Sequence, residues 1–90
     1  MKSYKIFVNL DIFDEIPKTG KARGKIVEFI RSLSNDPHHS GDYSEVDETG
    51  RYLFTKIVGG YAVTYWPDTP VLEVKIVRIC KADGLSHPPS

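Results

Sequence analysis

The sequence predicts a two-layer α+β domain: an N-terminal strand and two helices, then a three-stranded antiparallel meander that completes one sheet. Three observations predict it. "YLFTKIVGGYAVTYW" is two strand-like runs joined by Gly59-Gly60, a pair suited to a two-residue hairpin turn. Apolar residues from Ala22 to Leu33 recur at helical spacing, as they do on the buried stripe of a surface helix. Runs rich in β-branched residues stand at both ends of the chain, one before the helices and one after the hairpin.

The elements follow in order. "YKIFVNL" (Tyr4 to Leu10) reads as a strand. In "DIFDEIP", Asp11 caps a short helix that turns Ile12, Phe13 and Ile16 inward, since a side-chain oxygen at that position satisfies free backbone N–H groups. "KARGKIVEFIRSLSND" is the clearest helix. Its stripe is Ala22, Ile26, Phe29, Ile30 and Leu33, and Asn35 and Pro37 end it. Residues 36–50 read as a long polar loop with five acids and no Lys or Arg.

The Gly-Gly turn fixes the hairpin register, with Val58 facing Tyr61, Lys56 facing Val63 and Phe54 facing Tyr65. The other face then carries Leu53, Thr55, Ile57, Ala62, Thr64 and Trp66. In "PVLEVKIVRICKAD" the apolar positions step by two and then by three. That step predicts a β-bulge near Val77-Arg78, with Glu73, Lys75 and Arg78 on one side.

Composition bounds the function. Ninety residues, with 12 basic and 12 acidic side chains, carry no net charge, so no global field argues for nucleic acid or a membrane surface. Residues 1–85 read as one domain and "SHPPS", 86–90, as a flexible tail. A single cysteine, Cys80, excludes an intramolecular disulfide framework and fits a reducing, cytoplasmic setting. No secretion signal, membrane-length apolar run, internal repeat or cofactor motif is legible.

His38-His39 near Asp36 and Asp42 is not read as a metal site, because neighbours in a loop seldom converge on one ion. Lys18, Lys21, Arg23 and Lys25 open the long helix, against the sense of its dipole, and read as a solvated basic face. Asp42, Glu45, Asp47 and Glu48 read as a solvated loop. Lys56 presents two alternatives. It lies on the helix-covered side and reaches the sheet edge, or a bulge in "FTKIV" turns it to the open side, where it would cluster with Lys75 and Arg78.

The strings "FIRSLSNDP", "GDYSEVDETGR", "GGYAVTYWPD" and "EVKIVRICKAD" resemble the RelE/ParE superfamily of toxins from bacterial type II toxin–antitoxin modules, across residues 4–83. The resemblance implies the two-layer fold and a partner, an antitoxin that wraps the domain. It implies one of two activities. RelE-like members cut messenger RNA on the ribosome with cations and a C-terminal Tyr or His on the open sheet face. ParE-like members inhibit DNA gyrase by binding.

The cationic positions of the endonucleases fall here on Leu53, Thr55 and Ala62, and on or beside Ala82, with Lys81 adjacent. No tyrosine follows Tyr65, and His87 precedes two prolines. The resemblance therefore implies a divergent toxin that acts mainly by protein binding. Its expected partner surface is Leu53, Ile57, Ala62, Thr64 and Trp66, rimmed by Lys75 and Arg78, and self-paired in a dimer when free. The alternative is a divergent ribosome-dependent endonuclease using Lys56, Lys75, Arg78 and Lys81, since RNA cleavage needs proton transfer and cations on the phosphate. A relative that only binds its antitoxin is the third reading.

Overall fold

The computed structural model describes residues 3–82. Strand β1 (Lys5–Phe7) leads into a 3-10 helix (Leu10–Glu15) and then α1 (Lys21–Ser32). Strands β2 (Tyr43–Val46), β3 (Tyr52–Val58), β4 (Tyr61–Asp68) and β5 (Glu73–Lys81) follow, with a 3-10 turn at Thr69–Val71 before the last. They form one five-stranded sheet in the order β1-β5-β4-β3-β2. Only the β1–β5 pair is parallel. Both helical segments cover the same face, so the α+β layering is as the sequence predicts. The proposed tail, 86–90, lies outside the described residues.

The β3–β4 register is the predicted one, with Phe54 on Tyr65, Lys56 on Val63 and Val58 on Tyr61. Gly59 and Gly60 both have positive φ, 59° and 85°, as the tight turn matching strand twist requires. Gly59 also lies against α1: a Cβ there would stand 3.1 Å from the Ala22 Cα. The β5 bulge is present too. Thr64 pairs with Arg78 but Tyr65 pairs with Ile76, leaving Val77 as the extra residue.

The core is the meeting of the α1 stripe with the helix-side residues of the sheet. Ile26, Ile30, Leu33, Val63, Tyr65, Val74, Ile76 and Ile79 are buried together with Ile16. Phe29 and Phe54 are only partly buried against this cluster, and the Phe29 ring meets Tyr65 edge-on at 5.6 Å. Phe29→Ala is expected to cost about 2 kcal/mol, below the full-burial range because one side of the ring is wet. An unchanged denaturation midpoint would remove Phe29 from the core.

Four expectations are corrected. The polar loop 36–50 contains β2, paired antiparallel to β3 from Tyr43–Thr55 to Val46–Tyr52. Its four residues are all exposed, so it carries no alternation of apolar and polar side chains to read. The first strand stops at Phe7, not Leu10. The short helix is 3-10, begins after Asn9, and uses no side-chain cap, so Asp11 is not its cap. Finally, α1 ends at Ser32, and Leu33, 0 % exposed, tucks under as its C-cap.

Candidate functional site

The face of the sheet without helices is built by strand alternation, and β2 and β1 extend it on either side. One row across the sheet runs Tyr43, Thr55, Thr64, Arg78. A second runs Ile57, Ala62, Cys80. A third brings together Trp66, Lys75 and Phe7, with Glu45 and Leu53 paired beyond them.

Small residues in the middle of this face are roofed by long neighbours. Leu53, Thr55, Ala62 and Thr64 are only 8 %, 7 %, 0 % and 1 % exposed. The expectation of an open apolar strip is corrected to this extent: these side chains are the floor of the face. The accessible surface comes from Tyr43, Glu45, Ile57, Trp66, Lys75 and Arg78. The threonine pair is joined by a 3.0 Å hydrogen bond between hydroxyls, and the Arg78 guanidinium donates to Thr64 at 3.4 Å.

The four candidate cations do not converge. Lys75 and Arg78 lie on the open face. Lys56 lies on the helix side opposite Val63, and no register shift interrupts β3 from Phe54 to Val58, so the bulge alternative is excluded. Lys56 instead reaches the sheet edge and pairs with Asp42 at 3.6 Å, and the second Asp42 oxygen accepts the Ile57 N–H at 2.8 Å. Lys81 pairs with Tyr61, which places it on the helix side as well. A cluster of Lys56, Lys75 and Arg78 is therefore not formed.

A cation the sequence reading missed takes a place in the open face. Arg51 stands 4.7 Å above the Trp66 ring, and Lys75 Nζ lies 5.9 Å from Trp66 and 5.5 Å from Phe7. These are cation–π distances. The signal for Arg51 was available, since it precedes Leu53 by two positions and so shares its side of the strand. Phe7 carried no such signal, because its neighbour Lys75 is distant in sequence.

Each of these cations already has an acid of its own chain. Arg51 is held by Asp47 through two contacts of 2.7 Å, and Thr49 and the Arg51 backbone complete the shell. The Thr49 hydroxyl, above all, holds the Asp47 carboxyl well below the usual range. Lys75 meets Asp68 at 3.2 Å and Glu73 at 3.5 Å. The hydrogen bond to Asp68 raises its pKa, which makes it a poorer proton donor at neutral pH. Arg78 meets Glu45 at 3.6 Å in an exposed pair, an interaction of low strength in water.

The histidines serve the opposite face. His38 packs edge-on to Tyr4 and His39 edge-on to Phe29. Tyr65 donates its hydroxyl to the His39 carbonyl at 2.6 Å. Burial, with Asp36 and Asp42 nearby, pushes its phenol well above the ordinary value and keeps it neutral. Cys80 is half-buried on the open face beside Ala62. Among the described residues no three His, Cys, Asp or Glu side chains gather as metal ligands, and no helix is long and apolar enough to cross a membrane.

The open face offers a neutral, dry floor and acid-paired cations around one tryptophan. No family model matches the chain, and no curated protein matches it. Among solved structures, it is similar to a chain in the crystal structure of the toxin–antitoxin complex RelBE2 from Mycobacterium tuberculosis, with a TM-score of 0.68 and 22 % identity, over 88 % of this chain and 98 % of that one. The chain therefore has the RelE-like fold that its sequence strings imply.

Proposed function

We propose that this protein is the toxin component of a type II toxin–antitoxin module, acting mainly by protein binding and neutralised by a cognate antitoxin. The observation that carries this reading is the neutral floor. Leu53, Thr55 and Ala62 stand where the family's endonucleases place cations, and none of them can move a proton or neutralise a phosphate. The likeness in fold to a chain of a toxin–antitoxin complex supports the partner. Such a partner meets Ile57, Tyr43 and Trp66 and exchanges its own acids for Glu45 at Arg78 and for Asp68 at Lys75. The reading takes the setting as cytoplasmic, leaves the target between gyrase, the ribosome and none, and has the free protein self-associate through the same face in a two-fold dimer.

Induced expression should arrest growth, and co-expression of the neighbouring short reading frame should relieve the arrest. Purified protein is expected to leave messenger on translating ribosomes intact, and a gyrase supercoiling assay beside it tests gyrase as the bound target. Site-specific cleavage of messenger would overturn the binding reading. Ile57→Glu is expected to weaken antitoxin binding in calorimetry and self-association in light scattering. Ala62→Glu is a poor probe, because a carboxylate at a position 0 % exposed unfolds the sheet instead.

A second reading rests on one observation. Arg51 and Lys75 flank Trp66 on the open face that Arg78 shares, which is a cationic and stacking surface of the kind single-stranded nucleic acid uses. On that reading the protein is a divergent ribosome-dependent endonuclease, and Arg78→Ala should abolish cleavage.

A further inference from the structure

We propose that the outer edge of β2 pairs antiparallel with the same strand of a second copy of this chain, joining two five-stranded sheets into one. The inference goes beyond the binding function. It concerns the sheet edge, a surface separate from the open face.

The phase of the β2 ladder defines the edge. Asp47 donates its N–H to the Arg51 carbonyl at 2.9 Å, one rung beyond the Val46–Tyr52 pair. Antiparallel rungs alternate, so Glu45 and Tyr43 also turn their N–H and C=O groups toward β3. Those of Ser44 and Val46 then point outward. Among the described residues no loop backbone bonds to either. All four β2 residues are exposed, Tyr43 by 54 % and Val46 by 57 %. Sheet edges are commonly guarded by lysine, proline or a covering segment, and YSEV has neither lysine nor proline. The opposite edge is shorter and is guarded. Strand β1 has three residues. Just before it, Tyr4 donates to the Ser34 carbonyl, and the Ser34 hydroxyl donates back to the Tyr4 carbonyl, both at 2.8 Å.

Charge selects the occupant and the register. Acids on a strand edge ordinarily repel a copy of themselves. Here Asp42 is held by Lys56, Asp47 by Arg51 and Glu45 by Arg78. Residues 42–47 therefore carry no unpaired acid, and they offer a charged foreign strand no net attraction. A two-fold axis normal to the sheet keeps like faces together, and each bonded pair must join outward-facing residues of the two strands. Three registers satisfy this. With Val46 on the axis, Glu45 stands opposite the partner's Asp47. With Glu45 on the axis, it stands opposite the partner's Glu45. With Ser44 on the axis, Tyr43 stands opposite the partner's Glu45, and no acid opposes an acid. Charge favours the third, in which the N–H and C=O of Ser44 bond those of the partner's Ser44. The two open faces then lie on one side of a continuous sheet, and whatever binds there meets a doubled surface.

The test is amide hydrogen exchange by NMR at protein concentrations of about 20 µM and about 1 mM. Protection at Ser44 and Val46 is expected to rise about tenfold at the higher concentration, while Tyr43 and Glu45, already bonded to β3, stay level. Ser44→Pro removes an outward N–H and no rung to β3, a substitution edge strands accept, and it should abolish the rise at Val46. Ser44→Lys sets two lysines face to face on the axis and should do the same, so a proline variant that fails to fold does not spare the proposal. Ile57→Glu, on the open face, should leave the rise intact. Exchange at Ser44 and Val46 that is independent of concentration would overturn the proposal. So would protection that appears only when the antitoxin is added, or a rise that Ile57→Glu removes and Ser44→Lys does not. The wild-type measurement decides even if neither Ser44 variant folds.

Discussion

Ile26→Ala should destabilise the domain by about 4 kcal/mol, the upper part of the range for large-to-small core substitutions. Ile26 is 0 % exposed and sits at the centre of the stripe that α1 lays on the sheet. The helix is anchored on one side only, so few neighbours can collapse into the space left. A domain of ninety residues has about 5–13 kcal/mol of stability in all, so the loss is a large fraction. Thermal unfolding is expected to shift down by about 20 °C. A shift of only a few degrees would mean that α1 is not the lid of the core.

Gly41→Ala is expected to cost about 3 kcal/mol, from a left-handed backbone and a steric clash together. The φ of +66° disfavours any Cβ, and here the Cβ would strike backbone, 2.6 Å from the Thr55 oxygen and 2.9 Å from its carbon. A backbone atom of a central strand cannot swing aside as a side chain would. Gly50→Ala is the control. Gly50 has φ +87°, but nothing lies within 4 Å of its added Cβ, so it should lose only the conformational part, about 1 kcal/mol. Equal midpoints for the two variants in urea would show that β2 does not dock as described.

These two positions differ in how far the sequence announced them. Ile26 belongs to a helical stripe and could be assigned from spacing alone. Gly41 lies in a stretch that read as solvated loop. Its constraint comes from β3, which follows in the chain and gives no local sign of where β2 will rest. The turn chemistry of that hairpin was nevertheless present, since Asp47 accepts from Thr49 and Arg51 and Gly50 takes a positive φ, a pattern Asp and Gly favour.

The sequence by itself determined the α+β layering, the core stripe of α1, the β3–β4 register and the bulge at Val77. Each is set by local means: a helical period, a two-residue turn, and a break in alternation. Only the tertiary structure decided that β1 lies beside β5, which brings Phe7 to Lys75 and Trp66, and that β2 pairs with β3, which brings Glu45 to Arg78. It also decided that Lys56 goes to Asp42 at the edge, away from Lys75 and Arg78. Burial of Ala62 and Thr64 on a face without helices belongs here too, because it depends on how far Arg78, Trp66 and Lys75 lean over small neighbours. Pairing between distant segments and the reach of long side chains are not encoded in local spacing, so the composition of the open face became visible only once the sheet was assembled.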